Sequence, residues 1–128
     1  MFEGFRKRRI YVSGVKINMR TGGSGPPLLL LHGYPQTHVC WHLIAPILAK
    51  SFSVIIPDLR GYGDSSCPEI GSDGITYSKR VMALDMIAVM KELGYSAFSV
   101  IGHDRGARVA YRMALDHSNV VDRMMSLD

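Results

Sequence analysis

The residues best placed to do chemistry lie in Gly102-His103-Asp104-Arg105-Gly106. A carboxylate stands at the centre of a G-x-D-x-G spacing. A mostly apolar run, Phe98–Ile101, precedes it, and a segment of helical periodicity runs from Arg105 to about His117. Strand, sharp turn and helix in that order lift the central side chain above the strand end and aim a helix N-terminus at it, which favours an anion. The flanking glycines fit positions where a side chain would collide with strand or helix. A carboxylate is ionised at neutral pH and attacks an sp³ carbon directly, leaving an alkyl ester that water must hydrolyse. That second step needs a general base and donors for an oxyanion. Two blander readings stay open on this segment alone. Asp104 could simply cap a helix, or the turn could cradle a phosphate. The second lacks the G-x-G-x-x-G pattern and would set a carboxylate against the anion.

The rest of the chain reads as elements that would position this turn. Ile10–Val12 and Val15–Met19, separated by Ser13-Gly14, read as a hairpin. Leu28–Leu31 and Ser53–Ile56 are short apolar runs, as strands buried on both faces would be. Val39–Lys50 carries Trp41, Ile44 and Leu48 at helical spacing, with Trp41 and His42 expected to pack a helix on the core. A longer helix, capped at Thr76 or Ser78, should run to Leu93 and stop at Gly94. Val120–Leu127 reads as a last strand. A hairpin followed by strand–helix units predicts an α/β fold, a mostly parallel sheet with helices on both faces.

Composition narrows the classes. The chain has 128 residues, 47% of them hydrophobic, which is enough for one packed core and unlike a disordered segment. Net charge is +4, and much of it lies in Arg6, Lys7, Arg8 and Arg9. Without interleaved aromatics this run reads as a solvated edge rather than a nucleic-acid arm. No apolar run approaches membrane-spanning length, and no apolar segment after Arg9 resembles a signal peptide. Cys40 and Cys67 have no metal-ligand or C-x-x-C spacing. They read as reduced thiols of a cytoplasmic protein.

Two further motifs give the turn its context. His32-Gly33-Tyr34-Pro35 follows the Leu28–Leu31 run, and Asp58-Leu59-Arg60-Gly61-Tyr62-Gly63-Asp64-Ser65 follows the next. They resemble the H-G-x-P and D-x-x-G-x-G-x-S loops of the α/β-hydrolase fold, in which G-x-D-x-G would be the nucleophile elbow. Two subfamilies use an aspartate elbow, the epoxide hydrolases and the dehalogenases. The run Gly102-His103-Asp104-Arg105-Gly106-Ala107-Arg108, with His32-Gly33-Tyr34-Pro35-Gln36-Thr37-His38, most resembles the haloacetate (fluoroacetate) dehalogenases.

The resemblance implies a hydrolase that cleaves the carbon–halogen bond of a 2-haloacid. Asp104 would be its nucleophile, and the backbone N–H groups of Tyr34 and Arg105 its oxyanion hole. Arg105 and Arg108 would bind the substrate carboxylate. Being three apart at a helix start, they lie on one face, and guanidinium forks suit a carboxylate. Asp128, at the end of the last strand, would orient a catalytic histidine. His32, His103 and the Asp58 loop are expected to be structural. Neither metal nor cofactor is implied, and the partner is a small anionic substrate, with no nucleic acid or membrane. A homodimer is one option at full length.

In that family the histidine and a helical cap lie far downstream. His117 is 13 positions past Asp104, roughly 20 Å along a helix at about 1.5 Å per residue. Residues 1–128 are therefore expected to be the N-terminal half of a core domain, truncated before the cap, with exposed apolar edge and no turnover by itself. Two alternatives stand: an epoxide hydrolase with the same nucleophile and a neutral substrate, or a non-catalytic fragment of the fold.

Overall fold

A computed structural model describes all residues 1–128. The strands are β1 (Arg6–Val12), β2 (Val15–Gly22), β3 (Pro27–Leu31), β4 (Ser53–Pro57), β5 (Phe98–His103) and β6 (Val121–Leu127). The helices are α1 (Ala45–Leu48), α2 (Lys79–Glu92) and α3 (Arg105–Asp116). One six-stranded sheet has the order β1-β2-β4-β3-β5-β6. The β1–β2 and β2–β4 pairs are antiparallel, and β4, β3, β5 and β6 run parallel.

Alternation along β3 and β4 explains the two layers of core. Leu29, Leu31 and Ile55 face α2 and α3, where Met86, Val89, Met90, Val109 and Met113 pack. Leu28, Leu30, Val54 and Ile56 face the other way, onto Trp41 and Ala45. Both faces of the central strands are thus covered, as the apolar runs require. Helix α2 starts at Ser78, whose Oγ accepts from the Val81 N–H at 3.1 Å. It ends in a Schellman turn. Gly94 takes φ +95° and donates to Lys91 O, while Tyr95 N–H donates to Met90 O.

Two expectations need correcting. Val39–Lys50 is not one helix but a 3₁₀ turn, His38–Trp41, followed by the single-turn α1. Pro46 lies in the first turn of α1; it has no N–H to continue a helix from the preceding turn and suits the start of a new one. Trp41 is buried there, while Leu43, Ile44 and Ile47 are exposed. The basic run Arg6–Arg9 is exposed, as a solvated edge should be, but the first strand starts at Arg6 rather than Ile10, so the run does more than adjoin it. It is the first half of β1, paired with residues Asn18–Thr21, and all four side chains are exposed on the edge strand. Charge on an edge strand discourages pairing with other chains. At the opposite edge, β6 leaves Met125 and Leu127 exposed, as expected for an open apolar edge. No helix is long and apolar enough to cross a membrane.

Strand order places the site. The connection leaving β3 turns to β4 on one side, whereas the chain leaving β4 crosses to β5 on the other side of β3. The crossover direction therefore reverses at β3, and in open α/β sheets the crevice at such a reversal, outside the carboxyl ends of the strands, is where ligands bind. The loop after β3 and the turn after β5 meet there.

Candidate active site

The turn after β5 holds Asp104 at φ +54° and ψ −118°, a strained setting for a residue with a Cβ. Neighbouring backbone over-determines it. A Cβ on Gly102 would come within 2.4 Å of Gly106 O, and one on Gly106 within 2.3 Å of Leu31 O. The G-x-D-x-G spacing therefore reflects close approach of β5, α3 and β3. Asp104 N–H donates to Leu127 O at 3.1 Å, which ties the turn to the end of β6.

Asp104 is exposed, yet one carboxylate oxygen is held. Tyr34 N–H donates to Asp104 Oδ2 at 3.0 Å. That N–H, followed by the backbone N–H of Arg105, keeps the carboxyl below its usual range. Of the two backbone donors expected to form an oxyanion hole, Tyr34 N–H thus lies on one oxygen of Asp104, while Arg105 N–H makes no hydrogen bond that meets ordinary geometry. Gly33 permits the approach, because a Cβ there would lie 2.5 Å from Asp104 Cβ.

Buried polar contacts fix the loops around the turn. His32 is fully buried, its Nδ1–H donating to Gly33 O at 2.9 Å and its Nε2 accepting from Leu59 N–H at 3.0 Å. Burial pushes its pKa down, so the ring is a neutral brace between two loops. Gln36 Oε1 accepts from Gly33 N–H and from His103 Nδ1, each at 3.0 Å, buckling the β3 loop to the turn. Asp58, also fully buried, accepts at Oδ1 from His38 N–H and His38 Nδ1, and at Oδ2 from Asn18 Nδ2 and Asp64 N–H. Burial alone would raise its pKa, but these donors, His38 first, overcome that and hold it at about 2.

The elbow arginines line two different depressions. Arg108 flanks the one that contains Asp104 and Asp128. Arg105 flanks the other, with its guanidinium carbon 4.4 Å from the Tyr34 ring centroid and Nη1 donating to Tyr62 Oη at 3.2 Å. Tyr62 belongs to a loop read from sequence as purely structural. The Asp58 end of that loop does brace the fold, but its tyrosine reaches the site. Lys79, the first residue of α2, lines both depressions and was not singled out from sequence. Only the helix pattern hinted at it, because Asp104, Arg105 and Arg108 lie 25 or more positions away in the chain.

Cations near the site divide into two groups. Arg60 is paired with Asp85, and Arg80 and Arg112 with Asp116. Lys79, Arg105 and Arg108 form no ion pair with any carboxylate, so positive charge is left over around Asp104. No histidine presents a free ring to Asp104: His103 is held by Gln36 and His117 caps the far end of α3. No group of three His, Cys, Asp or Glu side chains is placed to hold a metal.

The family model for the alpha/beta hydrolase fold matches residues 26–128. The chain belongs to that family. It is 50% identical over 128 residues to a fluoroacetate dehalogenase of Burkholderia sp, covering 42% of that protein. It is 45% identical over 117 residues to a soluble epoxide hydrolase of Corynebacterium sp. (strain C12), 91% of this chain and 39% of that protein. A solved structure from Nostoc sp PCC 7120, named as a candidate α/β hydrolase, superposes with a TM-score of 0.99 at 56% identity. That match covers 100% of this chain and 44% of the other. The chain thus spans less than half the length of the hydrolases it resembles.

Proposed function

We propose that this α/β-hydrolase chain supplies the nucleophile and carboxylate-binding half of a 2-haloacid dehalogenase. Three features support the reading. Asp104 is exposed at the tip of the elbow. Its Oδ2 is already occupied by the Tyr34 N–H. Unpaired cations surround it. In this reading Oδ2 stays on the backbone donors while Oδ1 attacks the α-carbon. The carbon–halogen bond breaks with its electron pair, halide departs, and an aspartyl ester remains. Water then adds to the Asp104 carboxyl carbon. The negative charge develops on Oδ2, where Tyr34 N–H already points and Arg105 N–H would be the second donor. As water adds, a histidine from outside residues 1–128 takes one proton and passes it to the departing alkoxide on collapse, so that the hydroxyacid leaves and the new carboxyl group loses its remaining proton to restore the carboxylate. Arg105 and Arg108 hold the substrate carboxylate so that its α-carbon faces Asp104. Asp128, in the same depression as Asp104, orients a histidine supplied from outside residues 1–128. On this reading residues 1–128 are the N-terminal half of a core domain, and turnover belongs to the longer protein.

The observation that carries the proposal is the Tyr34 N–H to Asp104 Oδ2 contact at 3.0 Å, which divides the two carboxylate oxygens into a held one and a free one. A single turnover of chloroacetate by the protein at its natural full length, run in ¹⁸O-water, should place label in the Asp104 side chain. Product formation with no label in that peptide would refute it. The 45% identity to an epoxide hydrolase favours a second reading, in which the same carboxylate opens a neutral epoxide. The surplus of unpaired cations weighs against it. Arg108→Leu should raise KM for chloroacetate at least tenfold while leaving styrene oxide turnover, if present, unaffected.

A further inference from the structure

We infer that Lys79 is a third substrate-anchoring residue, making the anion site a three-cation cradle of Lys79, Arg105 and Arg108. The inference deepens the haloacid reading and rests on it for the identity of the substrate. Its basis is placement. Arg105 and Arg108 line separate depressions on either side of the elbow, and Lys79 is the one cation lining both. It sits in the first turn of α2, whose start is fixed by the Ser78 cap, so the position of its backbone is well determined.

Lys79 is partly buried and has no carboxylate partner, whereas its chain neighbour Arg80 is exposed and paired with Asp116 at 3.0 Å. A lysine that feels two arginines and has no carboxylate in ion-pair contact is electrostatically costly. Burial, then Arg105 and Arg108, push its pKa down, and Asp104 alone draws it up. A small anion between Lys79 and Arg108 would relieve that repulsion and complete the pairing.

The division of labour follows from the other contacts. Arg105 already donates to Tyr62 Oη and stacks on Tyr34, so its freedom to follow a ligand is reduced. Arg108 has no such tether. Lys79, with three rotatable donors on a flexible stem, is suited to close on the carboxylate once Arg105 and Arg108 have taken it. As a residue that touches the substrate away from the reacting carbon, it should govern KM more than kcat.

The test uses the protein at its natural full length. Chloroacetate and its neutral counterpart chloroacetamide are compared in the wild type, Lys79→Met and Lys79→Arg. Acetate binding is also measured by calorimetry in Asp104→Asn, with and without Lys79→Met. Lys79→Met should raise KM for chloroacetate about tenfold, with kcat changed less than about threefold. Chloroacetamide should be unaffected, and Lys79→Arg should recover most of the loss. Acetate affinity should fall by a similar factor. Unchanged acetate affinity, or no acetate binding at all, overturns the assignment, as does an equal loss for chloroacetate and chloroacetamide. If the wild type releases no halide but acetate binding still depends on Lys79, the dehalogenation reading fails and the cradle stands.

Discussion

Replacing Asp58 by Asn tests whether the loop architecture around the site rests on a buried charge. Four donors converge on this carboxylate, at 2.8 to 3.0 Å. An amide offers one acceptor oxygen in place of two. If that oxygen faces the His38 pair, the amide nitrogen faces Asn18 Nδ2 and Asp64 N–H, donor against donor. Leaving two buried donors unmatched costs about 1–3 kcal/mol each, so a loss of about 4 kcal/mol is expected at pH 7. The pH dependence gives an independent handle. The folded pKa of about 2 lies below the ordinary value of 3.8. The charged form is therefore stabilised by folding. That contribution, about 2 kcal/mol, is complete above pH 4 and is lost as pH falls through about 2. Urea denaturation of the full-length protein should show the wild type losing this increment between pH 4 and pH 2. Asp58→Asn should start lower and lack that part of the slope. Amide exchange across residues 58–66 should accelerate in the variant. An unfolding free energy at pH 7 within 0.5 kcal/mol of wild type, taking that as roughly the ordinary surface-substitution range, would refute the argument.

Other expectations follow from single contacts. Gly33→Ala puts a Cβ 2.5 Å from Asp104 Cβ, so it should cut kcat for halide release by at least about a hundredfold while circular dichroism stays native. An active Gly33→Ala protein would mean that the β3 loop does not support Asp104 in the role proposed for it. Trp41 is 4% exposed and anchors the layer opposite α2 and α3, so Trp41→Ala should cost about 3–5 kcal/mol in urea denaturation. A cost below about 1 kcal/mol would show that this face of the sheet is covered by something other than the 3₁₀ turn.

Much of the fold was legible because the chain obeys local rules. Continuous apolar runs at Leu28–Leu31 and Ser53–Ile56 became the two-sided strands β3 and β4. Ser78 and Gly94 marked the ends of α2 within a residue or two. Where reading failed, a local rule was in competition. Trp41, Ile44 and Leu48 have helical spacing, but Pro46 split the segment, and Ile44 and Ile47 ended up exposed. Arg6–Arg9 reads as a solvated edge by charge, and only its pairing with β2 makes it strand. The spacing of Gly102, Asp104 and Gly106 foretold the elbow, since close packing leaves its mark as glycine. It could not foretell Lys79 or Tyr62. Their approach to the elbow depends on where α2 and the Asp58 loop dock, and docking leaves no periodicity in the chain.

The contrast between Asp58 and Asp104 shows how one residue type takes two roles. Each carboxylate follows a strand and accepts backbone N–H bonds, and each has a lowered pKa. Asp58 is fully enclosed, with both oxygens saturated by named donors, so it has no lone pair left for a substrate and no path for one to reach it. Asp104 has Oδ2 held while its side chain remains open to the surface. Backbone strain accounts for the difference. At φ +54° the Asp104 side chain is lifted away from the sheet into the crevice where β3 and β5 part. On the proposed reading, reactivity at position 104 follows from what its surroundings leave unsatisfied, and a change that supplied a donor to Oδ1 should quench the nucleophile without moving it.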